Sequence, residues 1–274
     1  MRPVIQILGD SFVYSCAFKK AFAFEQFVPE HVLAYQIAGE TQIYFQQGVM
    51  VLGKGQFLLG RRNQFAKSMK VPGSDTEYKC LSVILSVERL RQYGLENNIS
   101  CGGKYHGAKN IFLEPNPFLT GYFASILPYA DQWDKASKKM AAIKVNEAIE
   151  LLLQLRPDLH SFLFDFSDPH KTDLEEFMLK NFQYNVPIGH FAKLSGRSLT
   201  NFKRDFSETF KTSPAKWLKN KRLSEAYFLI KQKSQKPAEI YLNLGFENLS
   251  HFYSAFKQRF GLTPAQINTK NIQQ

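Results

Sequence analysis

One pattern of apolar and polar positions occurs twice in the chain. Leu199, Phe202, Phe206 and Phe210 fall at i, i+3, i+7 and i+11 and are followed by Pro214; Leu249, Phe252, Phe256, Phe260 and Pro264 repeat them fifty residues later. That spacing lines up the apolar side chains on one stripe of a 3.6-period helix, which a core must cover, and leaves the opposite face polar. Aromatic residues held in one frame over a fixed shift predict a duplicated unit. Upstream the shift is forty-nine, Gly196 matching Gly245, so the second copy has one extra residue in its turn.

A shorter apolar-patterned segment precedes each long helix, Ile188 to Leu194 and Ala238 to Leu244, and a glycine turn lies between. Glycine reaches positive φ without steric cost, and Ser198 and Asn248 are N-cap types just ahead of the second helix. Helix, short turn and longer helix make a helix-turn-helix unit, whose second helix enters the major groove of DNA. On the first long helix Thr200, Asn201, Arg204, Ser207 and Lys211 point outward, with Lys203 on the flank and Asp205 off to one side. On the second, Ser250, His251, Ser254 and Lys257 do so, flanked by Tyr253. These donors and cations suit phosphates and base edges. A single polar helix face is usually just solvated; two matched units with glycine turns favour double-stranded DNA as the partner. Pro187 starts the first unit, and Pro214 opens a connecting helix with Trp217, Leu218, Leu223, Ala226, Leu229 and Ile230 as core. Lys219, Lys221 and Arg222 are expected on its outside.

The preceding half follows a different period. Short alternating runs, residues 32–37, 41–45, 49–52, 57–60 and 79–85, are separated by Ala38-Gly39-Glu40, Gln46-Gln47-Gly48 and Gly53-Lys54-Gly55. They predict an antiparallel sandwich or barrel. From Asn116 to Leu155 the period becomes helical. One stripe comprises Phe118, Leu119, Tyr122, Phe123, Ile126 and Leu127; the other, Ile143, Val145, Ala148, Ile149, Leu152 and Leu155. Such stripes either cover the sheet or, with Leu152 among the outward positions, form a dimer surface. Phe162 to Lys171 breaks the pattern, and an N-cap follows at Thr172 or Asp173. The expected organisation is a regulatory and dimerisation domain over residues 1–160, a linker over 161–171 and a DNA-binding domain over 172–274.

Charge follows this division. Of the formal net charge of +11 in 274 residues, +8 lies from Thr172 onward and +3 before it, the footprint a polyanion-binding domain requires. The first dozen residues lack a signal-peptide pattern, and no run approaches the ~18 apolar residues of a membrane span. Cys16, Cys80 and Cys101 are widely spaced, without a CxxC, and read as reduced, buried thiols of a cytoplasmic protein.

The segment from Leu174 to Ile267 resembles the DNA-binding domain of the AraC/XylS family of bacterial transcription regulators. The resemblance rests on FAKLSGRSLTNFKRDF, SPAKWLKNKRLSEAYFLI and LGFENLSHFYSAFKQRFGLTPAQ. It implies an all-α domain of seven helices, two helix-turn-helix units joined by a long central helix. Tyr241 stands where the family usually has alanine, and Arg197 in the first turn is positioned to add a phosphate contact. HVLAYQIAGETQIYF followed by VLGKGQFLLGRR is similar to the cupin-like jelly roll preceding this domain in many members. The similarity is closest to the branch containing the type III secretion activator ExsA. The resemblance implies a sequence-specific regulator, an activator rather than a repressor, working with RNA polymerase. It also implies a homodimer built through the two helices, controlled by a small-molecule effector or, as in that branch, an anti-activator protein.

A cupin-type enzyme, or a ligand-binding protein carrying a DNA-binding tail, is the rival. A cupin metal site needs two His one residue apart, a Glu a few positions on and a third His on a later strand. His31 stands alone, with no His-x-His in the chain. No catalytic residue, metal ligand or cofactor is therefore expected. Glu40, Arg61 and Arg62 sit at turns, where they either hold a small polar ligand or are solvated.

Overall fold

The protein, here a computed structural model, is described at residues 4–8, 11–22, 27–45, 48–100, 103–130 and 138–270. Gln46, Gln47 and Cys101 of the sequence reading lie outside these residues. The chain divides into two compact units, Met1–Asp168 and Pro169–Gln274.

The first unit is built on antiparallel sheets. The strands are β1 Val4–Leu8, β2 Phe12–Ala17, β3 Ala21–Phe22, β4 Phe27–Val28, β5 His31–Ala38, β6 Glu40–Phe45, β7 Gly48–Leu52, β8 Phe57–Gly60, β9 Gln64–Phe65, β10 Lys67–Val71, β11 Tyr78–Leu85 and β12 Asn110–Leu113. A six-stranded sheet runs β1-β2-β11-β5-β8-β12, a four-stranded one β3-β10-β6-β7, and β4 pairs with β9. Alternation drives this: Leu33, Leu59, Leu81, Val83 and Leu85 point inward and are fully buried, as expected where one face of an antiparallel sheet meets a core.

The interior also holds a polar knot. Tyr78 donates its hydroxyl to Thr41 Oγ1 (2.8 Å), which donates to Gln36 Oε1 (2.7 Å). Gln36 Nε2 in turn donates to the carbonyls of Ala38 (2.8 Å) and Lys79 (3.2 Å). The β5–β11 register shifts between Lys79 and Cys80, so the fully buried Gln36 satisfies carbonyls beside the irregularity, where the ladder leaves a gap.

Among the described residues four α-helices complete the unit where two were expected: α1 Val87–Glu96, α2 Pro117–Ala130, α3 Lys138–Leu155 and α4 His160–Phe164. Ser86 caps α1, its hydroxyl accepting from the Arg89 N–H (3.2 Å). Pro128 lies inside the last turn of α2. Tyr35 of β5 stacks on Phe57 of β8 (4.6 Å between centroids), and Phe123 of α2 closes on Tyr35 at 5.1 Å. Leu119, Tyr122, Ile126, Val145, Ile149 and Leu152 are all buried in the same core. Leu152 is therefore not an outward position, and the two stripes cover the sheet. Of the residues assigned to them, Phe118 and Ile143 are the large apolar ones that face solvent, at 67% and 50% exposure.

The expected linker also begins too early. Phe162, Leu163 and Phe164 of α4 are fully buried in the first core, because three consecutive large apolar residues gain more from burial than a connecting strand can offer. Arg61 and Arg62 are tied to the segment that follows α4. Arg61 pairs with Asp165, and Arg62 Nη2 donates to the carbonyls of Asp165 and Ser167, each at 3.1 Å. Glu40 accepts from Gln42 Nε2 at 2.7 Å.

The second unit is all helical: α5 Leu174–Asn181, α6 Ile188–Leu194, α7 Leu199–Phe210, α8 Pro214–Lys233, α9 Pro237–Ile240, α10 Leu249–Phe260 and α11 Pro264–Lys270. Asp173 caps α5, accepting from the Glu176 N–H at 2.7 Å. The helix expected over 238–244 is instead the single turn α9, after which residues 241–245 continue as turns. Phe246 N–H returns to the Tyr241 carbonyl at 3.0 Å, closing the turn that follows α9.

Candidate nucleic-acid interface

The two long helices of the repeat, α7 and α10, are set by matching devices. Ser198 Oγ accepts from the Asn201 N–H (3.3 Å), and Asn248 Oδ1 from the His251 N–H (2.8 Å), satisfying donors that a helix start leaves open. Gly196 and Gly245 supply the turns at φ +70° and +82°. A β-carbon on Gly245 would fall 2.7 Å from the Gln183 carbonyl oxygen and 2.9 Å from the Arg222 guanidinium carbon, so that turn must be bare.

The apolar stripes lean on α8 from two places. The rings of Phe206 and Phe210 meet at a tilt, 4.4 Å between centroids, and Phe210 meets Trp217 near the start of α8 at 4.8 Å. The rings of Phe256 and Phe260 meet at a tilt, 4.7 Å between centroids, and Phe260 meets Tyr227 further along α8 at 4.9 Å. Arg259 adds a bond to Ser224 Oγ at 2.8 Å. One rigid helix thus holds both long helices of the repeat.

With Phe202, Phe206, Phe252 and Phe256 fully buried, the opposite faces are left to water. Thr200, Asn201, Lys203 and Arg204 are exposed on α7, and Ser250, His251, Ser254 and Lys257 on α10. Tyr253 is half-buried, its ring edge-on to Phe252 at 5.9 Å. The outward side chains offer donors and positive charge with little apolar surface, a composition suited to phosphates and base edges.

Two arginines are placed differently from the sequence expectation. Arg197 is not a free cation on the turn. Its side chain is 7% exposed, with Nε donating to Asp205 Oδ2 (3.1 Å) and Nη1 to the carbonyls of Thr172 (3.0 Å) and Ser195 (2.8 Å). Asp205 also receives Arg204 Nη2 on Oδ1 and Lys171 Nζ on Oδ2, both at 3.3 Å. Its carboxyl is held below the usual range, foremost by the Arg197 hydrogen bond. Arg222 does not decorate the outside of α8. Nε donates to the Phe182 carbonyl (2.8 Å), Nη1 to that of Gly245 (3.1 Å) and Nη2 to that of Tyr184 (2.7 Å). Burial brings its pKa down to about 10. Neither role was readable from spacing, because the acceptors of Arg222 are backbone oxygens about forty and about twenty residues away in sequence.

In the first unit His31 is fully buried against Phe162 at 5.1 Å, its Nδ1 accepting from the Arg62 N–H at 3.4 Å. Burial first, then Arg62 and Arg61, lower its pKa to about 3. Cys16 and Cys80 are buried free thiols, and burial drives both pKa values up. Among the described residues no group of three or more His, Cys, Asp or Glu is placed to hold a metal. None of the described helices is long and apolar enough to cross a membrane.

Comparison with known proteins matches residues 191–270 to a helix-turn-helix domain family and residues 31–166 to the ExsA N-terminal regulatory domain. The chain is 24% identical over 234 residues to the HTH-type transcriptional regulator ExsA of Pseudomonas aeruginosa, covering 84% of this chain and 83% of that protein. It is 30% identical over 99 residues to the virulence regulon transcriptional activator VirF of Yersinia enterocolitica, covering 36% of each. A solved structure of ToxT from Vibrio cholerae aligns over 94% of this chain and 98% of that one, with 13% identity and a TM-score of 0.43.

Proposed function

Since the chain belongs to the AraC/XylS family of transcriptional regulators, we propose that it activates transcription by placing α7 and α10 in two successive major grooves on one face of double-stranded DNA. The observation that carries this reading is α8, which grips Phe210 through Trp217 and Phe260 through Tyr227. Two reading helices fixed to one rod have one spacing, and DNA offers successive major grooves about 10 base pairs apart. Arg204 on α7 is suited to grip guanine O6 and N7, whereas Ser254 and Tyr253 at the matching places of α10 offer single hydrogen bonds. We therefore assign base discrimination chiefly to α7, through Thr200, Asn201, Lys203 and Arg204. Backbone positioning falls chiefly to α10, through Ser250, His251 and Lys257.

The reading places the protein in the cytoplasm, as a homodimer recruiting RNA polymerase, with the first unit receiving a small-molecule effector or an anti-activator protein. An enzymatic role finds no support: the relatives at hand are transcriptional regulators. Genome-wide mapping of bound DNA tests the proposal. Enriched sites should share paired motifs about one helical turn apart upstream of genes whose expression falls when the protein is deleted. Enrichment without a paired motif would remove the two-groove reading, and raised expression on deletion would reverse the sign.

A further inference from the structure

Residues 170 and 171, expected to be plain linker, and Thr172, expected to open the DNA-binding domain, are seated on the first helix-turn-helix. Thr172 N–H donates to the Ser195 carbonyl (3.3 Å) and Arg197 Nη1 to the Thr172 carbonyl (3.0 Å). A β-carbon on Gly196 would lie 2.3 Å from the His170 carbonyl carbon and 2.4 Å from the Lys171 nitrogen, so the segment rests directly on the bare turn. From there Lys171 Nζ reaches Asp205 Oδ2 on the flank of α7 at 3.3 Å, while Arg204 Nη2 meets the other carboxylate oxygen at 3.3 Å. One carboxylate is thus straddled by two exposed cations, Lys171 at 66% and Arg204 at 65% exposure, and anchored from behind by the buried Arg197.

An exposed lysine–aspartate pair contributes little stability by itself, and the segment is already held through its backbone. The pair does something else: it sets where the ammonium sits. An isolated carboxylate beside a reading helix would repel the adjacent phosphates. With three cations around it the site is net positive, and the Lys171 ammonium has further N–H donors to offer. We propose that Lys171 belongs to the DNA interface and contacts a backbone phosphate beside α7, with Asp205 and Arg197 as the residues that position it. The inference rests on the reading that the outward face of α7 meets DNA.

The test uses the full chain and a mixed-sequence DNA duplex, with affinity measured across a salt series. Each phosphate neutralised adds roughly 0.9 to the slope of log affinity against log salt. Lys171→Gln should flatten that slope by about one unit and weaken binding at low salt without altering the circular dichroism spectrum, and Lys171→Arg should restore the slope. A slope unchanged in Lys171→Gln, in a preparation where Lys257→Ala does lower it, overturns the assignment of Lys171 alone. Slopes unchanged in Lys171→Gln, Lys257→Ala and Arg204→Ala together overturn the reading of α7 and α10, and this inference with it.

Discussion

Arg222, midway along α8, donates to the carbonyl of Gly245 in the second turn at 3.1 Å while holding the carbonyls of Phe182 and Tyr184 between α5 and α6. A guanidinium spreads its donors in a fixed fork that a lysine ammonium lacks. Arg222→Lys should therefore lower the unfolding free energy of the second unit by about 2 kcal/mol or more, since buried carbonyls lose their partners. Urea unfolding of the variant checks this; an unchanged midpoint would make Arg222 ornamental.

Gly196 and Gly261 both sit at positive φ, +70° and +72°, yet a β-carbon meets backbone at 2.3 Å on Gly196 and nothing within 4 Å on Gly261. Gly261→Ala should cost about 1–2 kcal/mol, the left-handed penalty alone. Gly196→Ala should cost clearly more, because residues 170–171 must also lift. Comparing thermal unfolding of the two variants separates backbone strain from steric conflict.

His31 gives the first unit an acid sensitivity. Burial lowers its pKa to about 3 from an ordinary 6.5, so the unfolded chain takes up a proton as pH falls through about 6.5 while the folded chain does not. Stability is therefore full above about pH 6.5 and declines down to about pH 3, at up to about 1.4 kcal/mol per pH unit. Asp165 acts in a lower window. Burial pushes its pKa up, but hydrogen bonds from Ser167, from the Tyr105 N–H and from Arg61 outweigh this and bring it to about 2 from 3.8, so its contribution is lost only below about pH 4. Urea unfolding of the wild type and His31→Gln at pH 7 and pH 5 isolates the histidine; the variant should show the smaller loss.

Leu152 and Ile143 lie on one helix with opposite fates, 1% and 50% exposed. Leu152→Ala should cost about 2–5 kcal/mol of stability without changing assembly in the folded fraction. If α3 contributes to the proposed homodimer, Ile143→Glu should leave folding intact and lower the sedimentation mass. An unchanged mass would move the dimer contact elsewhere.

Arg204→Ala should relax base preference at one or two positions, since a bidentate arginine–guanine contact is worth about 1–3 kcal/mol of discrimination. Lys257→Ala should weaken binding to all sequences alike and flatten the salt slope by about one unit. Binding of each variant to a library of operator variants at two salt concentrations decides between them. The opposite pattern would exchange the roles of α7 and α10.

What the sequence disclosed and what it hid differ by range. The stripes Phe202–Phe206–Phe210 and Phe252–Phe256–Phe260, the caps Ser198 and Asn248, and Pro214 at the start of α8 are local patterns, and the structure places them as read. The stripes of α2 and α3 were legible as helices, but periodicity does not tell an inward stripe from a contact surface, hence the misplaced Leu152. Phe162 to Phe164 read as linker because Asp165, Pro169 and His170 follow closely; only the sheet they cover reveals a core. Arg197 and Arg222 were hidden because their partners, Asp205, Thr172, Phe182 and Tyr184, lie on other elements. A cation in a sequence shows its charge but not its acceptors.

The knot of Gln36, Thr41 and Tyr78 bears on how the first unit avoids misfolding. Apolar side chains along β5 and β11 tolerate a slipped alignment, since one valine or leucine substitutes for another. The knot does not. A slip of β5 by one residue would turn Gln36 to the other face, stranding the Tyr78 and Thr41 hydroxyls and leaving the Ala38 and Lys79 carbonyls without its amide. Three polar side chains thus act as a key that fits one alignment, and they penalise every near-native pairing that the greasy residues around them would accept.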